Sequence, residues 1–232
     1  RTVRTEAARI LARVPETLFS PEDLEIFNKV FEELKLRYTS NLDRPESHLS
    51  LGILAENQNQ PADAEKHYRQ AVRRESTYVP ARMNLATLLS RRGRSKEAEE
   101  VLREAADLQP TWGQVHYSLG LLLAEDRNRL PEAIRSLERA SAYWRDNPRV
   151  FNNLAIAYWQ SDKIDDAISA FLQAIKLQPD NPEFIQNVVQ LLVQRGRWSD
   201  ALPHARTMVR LLPENQQAQA FLAQIERNAQ AQ

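Results

Sequence analysis

Residues 151–179 read FNNLAIAYWQSDKIDDAISAFLQAIKLQP, and this stretch decides the fold of the chain. Its apolar residues recur at the three- and four-residue spacing of an amphipathic helix on both sides of a short polar break. The spacing predicts two helices joined by a turn. A second stretch, RMNLATLLSRRGRSKEAEEVLREAADLQP at residues 82–110, places small and large apolar residues in the same order. The chain is therefore expected to consist of repeated helical hairpins.

The repeat has a period of 34 residues. A leucine or valine followed by a small residue recurs at steps of 34, 34, 35 and 34 residues, the last copy being looser. The five pairs are Leu51-Gly52, Leu85-Ala86, Leu119-Gly120, Leu154-Ala155 and Val188-Val189. Small residues allow two helix backbones to approach closely, and bulky residues fill the space between neighbouring hairpins. Between the two helices of their hairpins, Gly93 and Gly196 are expected to adopt a positive φ or to stop a helix.

This pattern resembles the tetratricopeptide repeat family. The most complete copy carries Leu154, Ala155, Tyr158, Ala167, Phe171, Ala174 and Pro179. The resemblance implies an all-α fold, a right-handed superhelical solenoid of helix-turn-helix repeats. Two copies depart from the pattern. The third holds one extra residue in EDRNRLPEA, with Pro131 expected to open its second helix, and the fifth has Val189 and Ala205 at positions where the family prefers a small and a large residue.

Five repeats are expected, with a helical segment at each end. The predicted repeats are 45–78, 79–112, 113–147, 148–181 and 182–215. Residues 1–44 form an N-terminal extension, in which RTVRTEAARILARVP resembles a HEAT-repeat helix and a helix starting at Ser20-Pro21 covers the first hairpin. Residues 216–232 place Phe221 and other apolar residues at helical spacing, as in a capping helix or an exposed dimerisation helix. We expect a cap, and a monomer rather than a dimer.

The composition excludes several functional classes. The 232 residues include 31 Lys and Arg, 31 Asp and Glu, and no Cys. Balanced charge argues against binding nucleic acid or anionic lipid, which normally needs a basic excess. Without cysteine there is no thiolate chemistry, disulfide or Cys-ligated zinc. No apolar run approaches the roughly 18–20 residues that span a bilayer, so no membrane insertion is expected.

No catalytic or metal site is predicted. The four histidines, His48, His67, His116 and His204, have no partner at metal-ligand spacing on their own helices. Acidic pairs fall at helix starts or on polar faces, where the helix dipole or solvent accounts for them. No Gly-rich phosphate loop or nucleophile elbow is present. We expect a protein that is not an enzyme and that needs no cofactor.

The resemblance places the first helix of each hairpin on a concave side, where family members generally hold a peptide or a partner's helix. Candidate residues flank the repeated leucine, precede it directly, or lie one helical turn further on. The predicted partner-binding groove consists of Met83, Asn84, Tyr117, Leu121, Asn152, Asn153, Ile156, Trp159 and Asn187. The apolar members would anchor a partner, and the amides would hydrogen-bond its backbone.

The same residues admit a structural interpretation. Apolar side chains at helical spacing also form cores, and Leu121 fits a core or a groove equally well. For Tyr117 and Trp159 a groove is favoured, because Leu119 and Leu154 already fill the core positions of their helices. The family's clamp for the acidic C-termini of chaperones needs cations that the corresponding positions lack, so that ligand is not expected.

We predict a non-enzymatic scaffold that binds a protein or peptide partner in this groove. The alternative is the partner-docking tail of a larger enzyme or multihaem redox protein. The N-terminal segment running into NLDRPESHLSLG also resembles the C-terminal region of bacterial multihaem cytochrome c proteins, and a chain starting at Arg1 suggests a longer parent. That resemblance implies a periplasmic location, and otherwise a cytoplasmic one is expected. RNA recognition by a related 35-residue helical repeat is disfavoured by the zero net charge.

Overall fold

The chain is all-α in the computed structural model, which describes residues 2–14 and 16–231. Within those residues there are thirteen α-helices, two single turns of 3₁₀ helix and no strand. In chain order the helices are α1 (Thr2–Leu11), α2 (Pro21–Thr39), α3 (Pro45–Asn57), α4 (Pro61–Arg74), α5 (Val79–Arg91), α6 (Ser95–Leu108), α7 (Gly113–Ala124), α8 (Leu130–Tyr143), α9 (Pro148–Gln160), α10 (Ile164–Leu177), α11 (Pro182–Gln194), α12 (Trp198–Leu211) and α13 (Gln216–Gln230). The predicted all-α fold is confirmed.

Polar side chains fix several helix starts. The Ser20 hydroxyl accepts a hydrogen bond from the Asp23 backbone N–H at 3.1 Å, which caps α2 where the sequence predicts a start. Asparagines at one repeated position, Asn147, Asn181 and Asn215, cap α9, α11 and α13 in the same way. These caps satisfy backbone donors that the first turn of a helix leaves without a partner.

Consecutive helices pack in pairs, from α3 with α4 to α11 with α12. The alanines of the repeat fill the contact between the two helices of each pair, and all are fully buried: Ala64, Ala98, Ala133, Ala167 and Ala201. At Gly120 an added Cβ would lie 2.7 Å from Cγ of Leu137, so this pair is closer than an alanine would allow. The small residues of the repeat therefore set the distance between paired helices.

A residue with positive φ turns the chain between the paired helices. Gly93 (φ 73°) and Gly196 (φ 69°) confirm the prediction from the sequence. The corresponding residues of the first and fourth hairpins are Asn59 (φ 57°) and Asp162 (φ 58°), residue types that tolerate this region better than most. The third hairpin departs from the pattern, because a 3₁₀ turn at Arg127–Arg129 takes up its extra residue before α8 begins.

The chain divides into two compact units, Arg1–Pro110 and Thr111–Gln232. In the first, α2 covers the first hairpin through a small core in which Val30, Phe31 and Leu34 pack with Leu54, with Ala8 of α1 and with Ala12 just after that helix. The HEAT-like segment predicted at the N-terminus includes Arg1 and Pro15, which lie outside the described residues, as does Gln232 at the other end. That resemblance and the predicted repeat boundaries stay predictions.

An apolar core extends from α8 to α13 in the second compact unit. Fully buried Phe171 of α10 belongs to it, and Val188 and Val189 extend it into α11. At the C-terminal end, α13 packs on α12 and buries Ala218 and Ile225, while Phe221 is partly buried against the same core. An apolar face of α13 is thus used within the chain, as a cap requires.

Candidate functional site

Seven of the nine predicted groove residues lie in the second compact unit, on the first helices of three consecutive hairpins, α7, α9 and α11. We call them the first-helix face: Tyr117, Leu121, Asn152, Asn153, Ile156, Trp159 and Asn187. Two side-chain hydrogen bonds link these helices. The Asn153 amide donates to the Tyr117 hydroxyl at 2.7 Å, and the Asn187 amide donates to Oδ1 of Asn152 at 3.0 Å.

Both bonds follow one register rule. One partner, Tyr117 or Asn152, lies two positions before the repeated leucine of its hairpin. The other partner, Asn153 or Asn187, lies one position before the leucine or valine of the next hairpin. In the first compact unit the corresponding pair is Leu49 and Asn84. Since leucine offers no polar atom, the Asn84 amide instead donates to the Pro80 carbonyl of its own helix at 3.1 Å. The asparagines recur at one position of the repeat, but the hydrogen-bond partner of each depends on which residue the preceding hairpin carries.

Asn152 is buried, with 3% of its surface exposed, and its side-chain oxygen is occupied by Asn187. The sequence pattern predicts that its amide is in direct reach of a partner. In the structure it holds Asn187, which is only partly buried. Adjacent residues on a helix point about 100° apart, so Asn153 is only partly buried and reaches Tyr117 while Asn152 turns into the contact between helices.

Tyr117 is half-buried and meets the ring of Trp144 edge-on, with 5.9 Å between ring centroids. Burial raises the pKa of its hydroxyl, although the hydrogen bond from Asn153 and the charge of Arg149 oppose that shift. The hydroxyl therefore stays protonated at neutral pH. It accepts from Asn153 and keeps its own proton to donate. Trp144 follows α8, belongs to no repeated pattern in the sequence, and is not among the predicted groove residues.

Trp159 and Ile156 lie at the edge of the core. Both are partly buried and pack against it, and the Trp159 ring meets Phe171 edge-on at 6.3 Å. Leu121 is more open, with 38% of its surface exposed. Ile156 and Trp159 thus support the core and are each partly open to solvent.

The two remaining predicted residues, Met83 and Asn84, lie on α5 in the first compact unit. Both are partly buried, and the Asn84 amide is engaged with its own helix. Within residues 2–14 and 16–231, no group of three or more His, Asp or Glu side chains is placed to hold a metal ion. In the same part of the chain, none of the helices combines the length and the apolar character needed to cross a bilayer.

A tetratricopeptide repeat profile matches residues 49–111 and 116–182, more than half of the chain. The chain belongs to the tetratricopeptide repeat family. Proteins of this family are generally non-enzymatic scaffolds that bind protein or peptide partners. The match covers most of the predicted repeats and includes eight of the nine predicted groove residues, Asn187 being outside it.

Solved structures show the same fold at low sequence identity. MamA from Desulfovibrio magneticus RS-1 is 18% identical with a TM-score of 0.66, covering 74% of this chain and 97% of its own. Pseudomonas aeruginosa PilF is 19% identical with a TM-score of 0.65, covering 96% and 98%. YrrB, described as a TPR protein with an unusual peptide-binding site, is 17% identical with a TM-score of 0.64, covering 79% and 94%. No curated protein matches the chain.

Proposed function

We propose that this protein is a non-enzymatic scaffold that binds a partner's peptide or helix on the first-helix face of the second compact unit. One observation carries the proposal. Apolar side chains that the core only partly buries, Leu121, Ile156 and Trp159, adjoin amide and hydroxyl groups already oriented by hydrogen bonds between helices. Pre-oriented polar groups beside apolar anchors are the usual composition of a peptide-binding surface.

The division of labour on this face follows from chemistry. Leu121 and Trp159 would provide apolar contact area, with the Trp159 ring held in place by Phe171. The Tyr117 proton and the Asn153 carbonyl would meet a peptide group, which offers one acceptor and one donor. Asn187 extends the polar row to α11, since Asn152 orients it. Met83 and Asn84 remain candidate contacts on the first compact unit.

Leu121→Ser tests this proposal with little risk to folding, because the side chain is among the more exposed of the large apolar residues. Native proteins would be captured on the wild-type chain and on this variant. Leu172→Ser is the matched control, since Leu172 is 40% exposed but lies on α10, a second helix. We expect roughly a tenfold loss of captured partner for Leu121→Ser only, which corresponds to about 1.4 kcal/mol of binding free energy.

Circular dichroism would first establish that both variants have wild-type helicity. A partner that both variants retain equally would place binding on another surface. Equal loss from both variants would contradict the proposal too, because Leu172 is outside the first-helix face. Truncated versions of a captured partner would then show whether a single short segment is sufficient, as peptide recognition requires.

A further inference from the structure

A cavity of about 670 Å³ lies in the first compact unit, between α2, α3 and α4. Apolar residues including Leu36 and Leu51 form part of its wall. Its polar lining contains six ionisable side chains: Glu32, Lys35, His48, Lys66, His67 and Arg74. A volume of this size is in the range of small-molecule sites. The cavity shares no residue with the first-helix face.

The charges around this cavity do not cancel. Lys35 pairs with Glu32 at 3.3 Å, which removes one charge of each sign. Neither Lys66 nor Arg74 forms an ion pair with any of the described residues. Two cations without a carboxylate partner therefore line one cavity, together with two imidazoles. A cavity with this balance attracts an anion.

Arg74 also departs from the repeat. It is the last residue of α4, and the last residues of the corresponding helices α6, α8, α10 and α12 are all apolar. These are Leu108, Tyr143, Leu177 and Leu211. Three of these four side chains are exposed, so stacking of the hairpins does not fix the residue type at this position. The arginine is an addition that stacking of the repeat does not explain.

The two histidines touch each other inside the cavity. Their Nδ1 atoms are 3.3 Å apart and their ring centroids 5.6 Å apart. At this separation one imidazole donates to the other, and protonating both would place two positive charges in contact. Burial lowers the pKa of both rings. The charge of Arg74 lowers the pKa of His48 further, against a hydrogen bond to the Leu42 carbonyl.

The pKa of His67 is lowered further by its contacts with His48 and Lys66, and Asp63 opposes that shift. The two rings are therefore largely neutral at pH 7 and gain charge only in more acidic solution. An anion in the cavity would favour the protonated form of both histidines, because it compensates the positive charge that protonation adds. The histidine pair would then take up protons as the anion binds.

We propose that this cavity binds a small organic molecule through a phosphate monoester group. The phosphate would lie between Arg74 and Lys66, where an arginine can hold two oxygens at once. The apolar wall would contact the organic part, for which a cavity much larger than a phosphate ion leaves room. A metal ion is the competing ligand, since the separation of the two nitrogens also suits one, but Lys66 and Arg74 would repel a dication.

Isothermal titration calorimetry of the full chain with phenyl phosphate at pH 7 tests the site. We expect saturable binding with one molecule per chain and about a tenfold weaker affinity for Arg74→Gln. Arg73→Gln is the matched control, because Arg73 is the preceding residue of the same helix and does not line the cavity. It should bind within twofold of wild type. Lys66→Gln provides a second test at an exposed position.

Sulfate tests the role of the histidines. Its charge stays the same between pH 5.5 and pH 8, whereas a phosphate group has a second pKa of about 6 and changes charge in this range. We expect roughly tenfold tighter sulfate binding at pH 5.5 than at pH 8, with the imidazole NMR signals of His48 and His67 shifting on binding. Equal affinities of the two arginine variants would overturn the proposal. Benzoate binding as tight as phenyl phosphate, or a larger rise in melting temperature with zinc than with phenyl phosphate, would also overturn it.

Discussion

Tyr117→Phe removes one hydroxyl and leaves the aromatic ring on Trp144 in place. The change therefore isolates the 2.7 Å hydrogen bond to Asn153. A hydrogen bond of this kind stabilises a protein by about 0.5–1.5 kcal/mol net. A partly buried amide that loses its partner adds a further cost of similar size. We expect Tyr117→Phe to lower the free energy of unfolding by about 1–2 kcal/mol.

A double-mutant cycle separates the bond from the other effects of each substitution. Asn153→Ala and the double variant complete the cycle, and we expect a coupling energy of about 1 kcal/mol. All four tryptophans, Trp112, Trp144, Trp159 and Trp198, belong to the second compact unit. Urea unfolding followed by tryptophan fluorescence therefore reports on the unit that contains the bond, while circular dichroism reports on the whole chain.

Tyr143→Phe is the control, because Tyr143 is 52% exposed and should tolerate loss of its hydroxyl within about 0.5 kcal/mol. For a chain of this length, 1 kcal/mol corresponds to a shift of about 2–4 °C in melting temperature. A coupling energy below about 0.3 kcal/mol would refute the reasoning, since independent sites add to within that margin. The linkage between α7 and α9 would then rest on apolar contact alone.

Three further predictions concern other parts of the fold. Gly93→Ala should lower the free energy of unfolding by about 1–2 kcal/mol, measured by urea unfolding followed by circular dichroism. The cost comes from the φ of 73° alone, since no atom lies within 4 Å of the added Cβ. Phe171→Ala should lower the free energy of unfolding, followed by fluorescence, by about 3–5 kcal/mol. Leu172→Ala should lower it by well under about 1 kcal/mol, because Phe171 is fully buried and Leu172 is not. Burial opposes ionisation of Glu65, but hydrogen bonds from Arg94 and a second arginine outweigh it and lower the pKa of this carboxyl from 4.5. The ionised Glu65 carboxylate stabilises the fold above pH 4.5, and this stabilisation is lost as the pH falls through the lowered pKa. Glu65→Gln should therefore be about 1 kcal/mol less stable than wild type at pH 7 and equally stable near pH 2.

The hairpins could be predicted because their signal is local and repeated. A small residue after each leucine and an alanine about thirteen residues later specify paired helices without reference to the rest of the chain. The turns were predictable only in part. Glycine signals a positive φ at Gly93 and Gly196, whereas Asn59 and Asp162 adopt the same conformation with residue types that also occur in many other settings.

The candidate site was harder to predict because its contacts join residues about one repeat apart. Helical spacing shows which residues share a face of one helix but not which atoms meet across two helices. Asn152 and Asn153 are adjacent and identical in type, yet one is buried and holds Asn187 while the other bonds Tyr117. The capping role of residues 216–232 and the resemblance to multihaem cytochrome proteins stay predictions.

The register rule makes the fourth hairpin compatible with a copy of itself. It carries an amide at both positions that the rule uses, Asn152 and Asn153, whereas α7 combines Tyr117 with a serine. If residues 148–181 were duplicated in tandem, Asn152 of the first copy would meet Asn153 of the second as it now meets Asn187. The chain could therefore be lengthened at this point by gene duplication or by design without breaking its interhelical bonds, and each added copy would enlarge the surface offered to a longer ligand.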